Sequence, residues 1–152
     1  MKEPYYVYNN EAISSLILMS VVKQLNTIDI VRLFLILPCL LDDRFVNYVA
    51  RTNNQSSFST ILKEKANLFV NFNQRYLELM PIAINSVMIL KQCNLLTIKI
   101  NCIEIIESGD LNNPLLDVGE RLQKIIRIIP QFIEMIAPYN TLQLYKFLKV
   151  QL

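Results

Sequence analysis

The chain has 152 residues, of which 53% are hydrophobic and 18% are charged, and its formal net charge is +2. Soluble domains average about 45–50% apolar and about 25% charged residues, so we expect part of the apolar surface to face another protein, with a very dense monomeric core as the alternative. The chain has no histidine and only two glycines, which excludes histidine-dependent catalysis and glycine-rich phosphate loops, while scattered basic residues argue against strong autonomous nucleic-acid binding.

The beginning of the chain, MKEPYYVYNNEA, is acidic and aromatic, whereas a signal peptide is basic and then apolar. Three cysteines occur without CxxC spacing, each in an apolar setting: Cys39, Cys93 and Cys102. This usage indicates buried free thiols in a reducing compartment. We therefore predict a cytoplasmic protein.

A short aromatic stretch, PYYVY, precedes the first helix and is β-prone enough to lie extended across the core. Its candidate partner-binding residues are Tyr5, Tyr6 and Tyr8. A platform that stacks on nucleic-acid bases is an alternative, but such platforms are interleaved with basic residues and this one is not. Packing of the tyrosines against the helices also remains open.

The first predicted helix begins after Asn9 or Asn10 and extends to about Leu25. Asparagine is a favourable N-cap because its side chain accepts a hydrogen bond from an unpaired backbone N–H of the first turn. The connection to the next segment is very short, so we expect the two helices to be neighbours.

The segment 26–43, NTIDIVRLFLILPCLLDD, is the most apolar part of the chain. Asn26 followed by Asp29 predicts an N-cap and a helix start near Thr27. The segment is apolar nearly all round, which is typical of a buried helix. A membrane span needs about 20 apolar residues, whereas this segment is shorter and contains Arg32. We therefore predict a core helix.

Pro38 lies within this helix and should kink it, and we expect the helix to continue to Arg51. Arg32 is the only charge in the body of the segment. It is a candidate partner-binding residue that could contact a partner's carboxylate. Pairing with Asp29, one turn earlier, is the structural alternative.

A polar loop, TNNQSS, interrupts the helical pattern. Ser57 or Ser59 then caps a long amphipathic helix that extends to Met80. Pro81 fits the first turn of a following helix, which extends to about Gln92, because the N–H that proline lacks would be unpaired there anyway.

The sequence 95–107, LLTIKINCIEIIE, changes the apolar period from 3.6 to 2 and predicts a β-hairpin. A two-residue turn at 101–102 would place four isoleucines on one face and an ion pair on the other. The expected register is Ile100 opposite Ile103, Ile98 opposite Ile105, and Lys99 opposite Glu104. Helices followed by a hairpin are the order of a winged helix-turn-helix.

Two further helices are predicted after a second polar break. Asp117 with Glu120 forms a capping-box-like start for a helix that extends to Ala137 and that Pro130 should bend. Thr141 is predicted to cap a short last helix. The candidate partner-binding residues in this helix are Tyr145 and Phe147.

These elements predict a mainly α fold of the α+β class, a helical domain with a winged-helix-like β-hairpin near residues 95–107. We expect residues 1–152 to form a single compact domain. In it, an N-terminal helical pair (1–51) packs on a winged-helix-like part (57–107), followed by C-terminal helices (117–152).

The closest groupings of carboxylates are Asp42 with Asp43 and Glu104 with Glu107. No ligand spacing recurs, so we interpret them as a solvated helix end and a polar strand edge rather than as a metal or acid–base site. We therefore predict that the protein is not an enzyme. We expect no catalytic, metal or cofactor site and no small-molecule substrate.

Several stretches resemble a known family. YNNEAISSLILMSVVKQL is similar to the N-terminal helix, and TIDIVRLFLILPCLL to the aliphatic segment, of the middle components of bacterial three-component ABC-ATPase conflict systems. The downstream order, with NQRYLELMP, a further helix, a hairpin and a C-terminal TLQLYKFLKV, is also similar. Such systems include the Lamassu antiviral and antiplasmid defence systems.

The resemblance implies a non-catalytic adaptor that bridges an SMC-like ATPase subunit and an effector subunit, commonly a nuclease. It implies contact with DNA only indirectly, through the complex. A winged-helix DNA-binding transcriptional regulator is the alternative function. A small helical membrane protein is the third alternative.

Overall fold

The computed structural model describes residues 9–52, 56–106 and 118–151. Within these ranges the chain forms seven α-helices, one short 3-10 helix (Ala66–Phe69) and a three-stranded antiparallel sheet. The predicted mainly α fold of the α+β class is therefore confirmed. The helices are α1 (Glu11–Leu25), α2 (Ile30–Leu40), α3 (Asp43–Arg51), α4 (Phe58–Glu64), α5 (Phe72–Gln92), α6 (Glu120–Ile136) and α7 (Thr141–Phe147). The strands are β1 (Thr27–Asp29), β2 (Leu96–Ile98) and β3 (Cys102–Ile105).

Helix α1 begins and ends where the sequence predicts. The Asn10 side chain accepts a hydrogen bond from the Ile13 backbone N–H at 3.1 Å, which makes Asn10 the N-cap. The helix ends at Leu25. Residue Asn26 then takes a positive φ of 62°, a conformation that asparagine tolerates better than most residues and that terminates helices.

The expected helix start near Thr27 is wrong. Residues Thr27–Asp29 form strand β1, which pairs antiparallel with β3 and places Ile28 opposite Ile103. The short strand gains backbone hydrogen bonds from a segment that is distant in sequence, and this tertiary pairing overrides the local capping signal. Asp29 is the N-cap of α2 instead, since its carboxylate accepts a hydrogen bond from the Val31 N–H at 3.1 Å.

Helix α2 is a buried core helix, as predicted, with seven of its eleven residues buried. It does not continue to Arg51 through a kink at Pro38. The helix ends at Leu40, and Asp42 caps a separate helix, α3. Among the residues that the structure describes, no helix is both long enough and apolar enough to cross a bilayer.

The middle helices also differ from the prediction. The expected single helix to Met80 is divided into α4, a 3-10 turn and the start of α5, and α5 passes through Pro81 without ending there. A proline inside a helix leaves the carbonyl four residues earlier without a partner. Here both Pro81 and Leu77 are exposed to solvent, so water can bond that carbonyl.

The predicted hairpin is confirmed, but its register is shifted by two residues. The sheet order is β1-β3-β2, and Ile98 lies opposite Ile103 rather than Ile105. The turn residues are Ile100 and Asn101 rather than residues 101 and 102, since the Lys99 N–H donates to the Cys102 carbonyl oxygen at 2.8 Å. Ile100 is therefore 96% exposed, while Leu96 takes its place on the buried face. The expected ion pair is present, with Lys99 Nζ 2.6 Å from Glu104 Oε2.

The last two helices have different caps from those predicted. Helix α6 starts at Glu120 after Gly119, and the predicted cap Asp117 lies outside the described residues. Helix α7 is capped by Asn140 rather than Thr141. The Asn140 side chain accepts a hydrogen bond from the Gln143 N–H at 2.8 Å, and the Gln143 side chain accepts one from the Asn140 N–H at 2.9 Å.

One cluster of buried residues extends from α1 to α7. Four phenylalanines from different elements meet edge to face within it: Phe45, Phe58, Phe69 and Phe132. The Phe45 ring centroid lies 5.4 Å from that of Phe132 and 5.8 Å from that of Phe69. These contacts join α3 to α6 and to the 3-10 helix. That residues 1–152 form a single compact domain stays a prediction.

The three cysteines are free but not uniformly buried, which corrects the prediction. Cys39 is buried in α2, Cys102 is partly exposed, and Cys93 is exposed at the C-terminal end of α5. Burial raises the pKa of the Cys39 thiol to about 12. Cys93 is therefore the thiol that solvent reaches most readily.

The packing of α2 generates a stability prediction. Leu37→Ala should lower the free energy of unfolding by about 2–5 kcal/mol, because it removes a fully buried side chain from a close-packed core. Denaturant unfolding measures the change. Leu142→Ala is the matched control, since Leu142 is 64% exposed, and it should change that free energy by about 0.5 kcal/mol or less. Equal costs at the two positions would contradict the burial of α2.

Candidate partner-binding groove

Arg32 binds two carbonyl groups at the C-terminal end of α6 and in the turn that follows it, and not a carboxylate. Its Nη1 donates to the Tyr139 carbonyl oxygen and its Nη2 to the Ile136 carbonyl oxygen, each at 2.8 Å. The last carbonyl groups of a helix lack hydrogen-bond partners within the helix and carry partial negative charge. A guanidinium both donates hydrogen bonds to them and supplies the opposite charge. Burial lowers the pKa of Arg32, and the charge of nearby Asp29 offsets part of that effect.

Both oxygens of the Asp29 carboxylate are bound elsewhere, so Asp29 does not form the alternative pair with Arg32. One carboxylate oxygen caps α2, and the other accepts a hydrogen bond from Thr141 Oγ1 at 2.9 Å. Tyr145, one turn along α7, donates its hydroxyl to the Val31 carbonyl oxygen at 3.0 Å. Helix α7 is thus fixed against the first turn of α2 by two polar contacts, and Arg32 anchors the turn that precedes it.

An open groove of about 750 Å³ lies between the first turn of α2 and helix α7. Its lining is mostly apolar, and we call its apolar residues the floor and its polar residues the rim. The residues of the floor are Val31, Leu142, Tyr145 and Val150, and those of the rim include Asp29, Lys146, Lys149 and Gln151. Val31 is 46% exposed and Leu142 is 64% exposed. Large apolar side chains left in solvent within a concave surface are typical of a binding site.

The charge of the groove is unbalanced. Neither Lys146 nor Lys149 makes an ion pair with a residue that the structure describes. The carboxylate of Asp29, by contrast, already accepts hydrogen bonds on both oxygens. The groove therefore presents an apolar floor beside positive charge, which is complementary to a segment that combines apolar and acidic side chains.

Lys149 occupies this rim in a conformation that lysine rarely adopts. Its φ is 53°, in the left-handed region that favours glycine. The turn is closed by a hydrogen bond from the Lys149 N–H to the Lys146 carbonyl oxygen and by one from the Val150 N–H to the Tyr145 carbonyl oxygen, both at 3.2 Å. This turn ends α7 and returns Val150 to the groove.

The structure brings only some of the predicted partner-binding residues to this groove. Tyr145 lines it but is 8% exposed, and burial together with a hydrogen bond to the Tyr76 hydroxyl raises the pKa of Tyr145. Phe147 is 39% exposed and lines a separate, smaller depression, with its ring 5.3 Å from that of Tyr139. Arg32 does not line the groove and instead bonds the Ile136 and Tyr139 carbonyl oxygens. The remaining candidates, the three N-terminal tyrosines, lie outside the described residues.

Sequence reasoning missed four exposed residues that line the groove: Val31, Leu142, Lys146 and Lys149. Each belongs to an apolar or amphipathic stretch that predicts a core-facing helix, and no local pattern marks which side chain stays in solvent. The one available signal is the pair of lysines in LQLYKFLKV, which interrupts an otherwise apolar segment.

The carboxylates considered as an acid–base site have structural partners. Asp42 is buried and is not a solvated helix end. It accepts hydrogen bonds from the Arg44 N–H at 3.0 Å and from the Arg44 and Arg75 guanidinium groups. Burial raises its pKa, but the bonds and charges of Arg44 and Arg75 outweigh that effect, so the pKa lies below its usual value. Asp43 pairs separately with Arg121 at 2.7 Å.

Glu104 pairs with Lys99, as described above, and Glu107 falls outside the part of the chain that the structure describes. No group of three or more histidine, cysteine, aspartate or glutamate residues within the described ranges could hold a metal ion.

Comparison with known families decides the affiliation of the chain. The family model of the ABC-three component (ABC-3C) system Middle Component 3 matches residues 2–151. The chain belongs to this family. The resemblance found in its aliphatic segments is thereby confirmed at the level of a middle component of an ABC three-component system. No curated protein and no solved structure matches this middle component.

In this middle component, Arg32→Met should lower the free energy of unfolding by about 1–3 kcal/mol, because it leaves two helix-terminal carbonyl groups without their charged donor. Arg127→Met is the matched control on the exposed face of α6, and it should change that free energy by about 0.5 kcal/mol or less. Denaturant unfolding compares the two. An Arg32→Met protein as stable as the wild type would contradict the capping role.

The Asp42 contacts generate a pH prediction. The folded pKa of Asp42 is lowered, so its carboxylate contributes stability above the unfolded pKa of about 3.9, and this contribution is lost as the pH falls. Asp42→Asn should therefore lower the free energy of unfolding by about 2 kcal/mol at pH 7. The difference in this free energy between the wild type and the variant should decrease towards pH 3. Asp43→Asn is the control, with an expected cost below about 1 kcal/mol at pH 7. A free-energy difference that increases on acidification would contradict the stabilising role of the Asp42 carboxylate.

Proposed function

We propose that this chain is a non-catalytic adaptor that joins an SMC-like ATPase component to an effector component of an ABC three-component system. The observation that carries the proposal is the open groove with an apolar floor and two lysines without ion-pair partners among the described residues. Membership of a middle-component family supports the presence of partner components. The groove offers one of them a binding surface.

The finer parts of the proposal rest on the resemblance. It implies that the effector is a nuclease held inactive until foreign DNA is sensed, and that the system belongs to the Lamassu-type antiviral and antiplasmid defence systems. Free thiols at all three cysteines are compatible with work in the reducing cytoplasm. We propose that DNA is reached only through the partner subunits, which would agree with the low net charge of +2.

The backbone conformation of Lys149 supports a role for its charge in partner binding. A non-glycine residue in the left-handed region costs about 1–2 kcal/mol, and such strained residues cluster at functional sites. Glycine would fit this turn better, yet lysine places a positive charge on the rim of the groove. Recognition of an acidic partner segment gives a reason for keeping the lysine.

A winged-helix DNA-binding regulator is the second candidate function, favoured by a hairpin whose strand β3 lies between β1 and β2. The charge of this hairpin argues against DNA binding, because Lys99 is paired with Glu104 and the tip residue Ile100 is apolar. Duplex binding by the isolated chain that weakens steeply with salt would support the regulator. Absence of binding at low salt would remove it.

Co-expression tests the adaptor. A tagged chain should co-purify with the products of the neighbouring ATPase and effector genes. Leu142→Glu and Lys146→Glu should reduce co-purification of one component, because they place negative charge on the floor and the rim of the groove. Ile100→Glu is the control, since Ile100 is exposed at the hairpin tip, away from the groove. A chain that binds neither component, or groove variants that bind as the wild type does, would refute the proposal.

Lys149→Gly should have opposite effects on stability and on binding. It should raise the free energy of unfolding by about 1 kcal/mol by relieving the left-handed backbone, and it should weaken the complex by removing a rim charge. Thermal unfolding and a binding isotherm on the purified complex measure the two. Lys149→Arg keeps both the charge and the strain, so it should change neither quantity. A Lys149→Gly protein that binds its partner as tightly as the wild type would contradict the role of the charge.

A further inference from the structure

The smaller depression that Phe147 lines adjoins the turn that ends helix α7. Its volume is about 390 Å³, and its lining is apolar apart from Asn73 and Lys149. The apolar residues of this lining are Leu62, Ala66, Phe69, Val70, Phe147 and Leu148. Val70 is 75% exposed. Beside the same turn, the chain therefore leaves apolar side chains in solvent at two places, the depression and the groove.

The depression and the groove share a wall. Lys149 belongs to the lining of both. Gln151 lines the groove, and its backbone N–H donates to the side-chain oxygen of Asn73, which lines the depression, at 2.9 Å. A hydrogen bond of this length brings the two linings into direct contact. The two apolar surfaces therefore meet at the segment 149–151.

The charge at this shared wall is positive and is not compensated within the described residues. The two linings contain two lysines, Lys146 and Lys149, and one carboxylate, that of Asp29. Both oxygens of Asp29 accept hydrogen bonds, whereas neither lysine makes an ion pair with a described residue. A ligand that occupies both surfaces passes Lys149, and an acidic side chain at that point would supply the opposite charge.

These features fit a polypeptide segment in which an acidic residue lies between two apolar residues. An extended chain advances about 3.3 Å per residue, so a short segment is long enough to pass over the shared wall. A nucleic-acid strand fits poorly, because sequence-independent binding of single strands uses exposed aromatic rings for base stacking. The exposed residues of the groove floor, Val31 and Leu142, are aliphatic.

We propose that the groove and the depression form one continuous binding surface for an apolar–acidic–apolar segment of a partner component. This inference rests on the proposed adaptor function and specifies the kind of segment that the adaptor recognises. Lys149 pairs with the acidic residue, while Leu142 and Val70 contact the apolar residues on either side of it. The two apolar surfaces thus bind one segment together rather than a separate ligand each.

Overlapping synthetic peptides that cover the neighbouring ATPase and effector components test the inference against the purified full chain. A peptide with an acidic residue between apolar residues should bind. Leu142→Glu, in the groove, and Val70→Glu, in the depression, should each raise the dissociation constant of this same peptide by about tenfold. Ile84→Glu is the matched control, because Ile84 is an exposed apolar residue that lines neither surface, and it should leave the affinity unchanged.

A charge exchange tests the pairing with Lys149. Lys149→Glu should raise the dissociation constant of the peptide by about tenfold, and a peptide whose acidic residue is replaced by lysine should bind the wild type equally weakly. The exchanged peptide and the Lys149→Glu chain should bind each other with most of the original affinity. Lys91→Glu is the control, since Lys91 is exposed and lines neither surface, and it should not rescue the exchanged peptide.

The outcomes separate this inference from the adaptor function. Peptide binding that responds to Leu142→Glu but not to Val70→Glu would restrict the site to the groove, and it would overturn this inference alone. A partner component that co-purifies with the chain but yields no such peptide would also overturn it, as would a charge exchange that restores no affinity. A chain that co-purifies with neither component would overturn both the inference and the adaptor function.

Discussion

The placement of the Arg32 guanidinium is the interaction on which the partner-binding surface depends. It is the only charge in the body of a helix that is otherwise apolar and mostly buried, so its donors must be satisfied within reach of the helix. The carbonyl oxygens of Ile136 and Tyr139 accept hydrogen bonds from these donors. The same bonds fix the end of α6 and the start of α7 beside α2, and the groove is the space left between them.

Features set by neighbouring residues could be predicted from the sequence. The Asn10 cap, the end of α1 at Leu25, and a hairpin with Lys99 paired to Glu104 all depend on signals within a few residues. The mainly α character follows from the apolar periodicity of long segments. Arg32 could be recognised as unusual, because one charge in such an apolar helix needs a partner. The identity of that partner could not be predicted, since the carbonyl groups lie more than 100 residues away in the chain.

Features set by distant segments could not be predicted. Strand β1 has only three residues and exists because β3 pairs with it. The break between α2 and α3 depends on Asp42, whose charge is matched in part by Arg75 from α5. The helix through Pro81 is possible because that position faces water, which local propensity does not reveal. The groove could not be predicted either, because the exposure of Val31 and Leu142 depends on where α7 packs against α2.

Strand β1 also has a mechanical consequence. The Ile30 N–H at the first residue of α2 donates to the Asn101 carbonyl oxygen in the hairpin turn at 3.2 Å, and Asp29 lies opposite Cys102. The hairpin is therefore coupled directly to the helical turn that supplies Asp29 and Val31 to the groove. Displacement of the hairpin would therefore break or shift the backbone hydrogen bonds that position the first turn of α2.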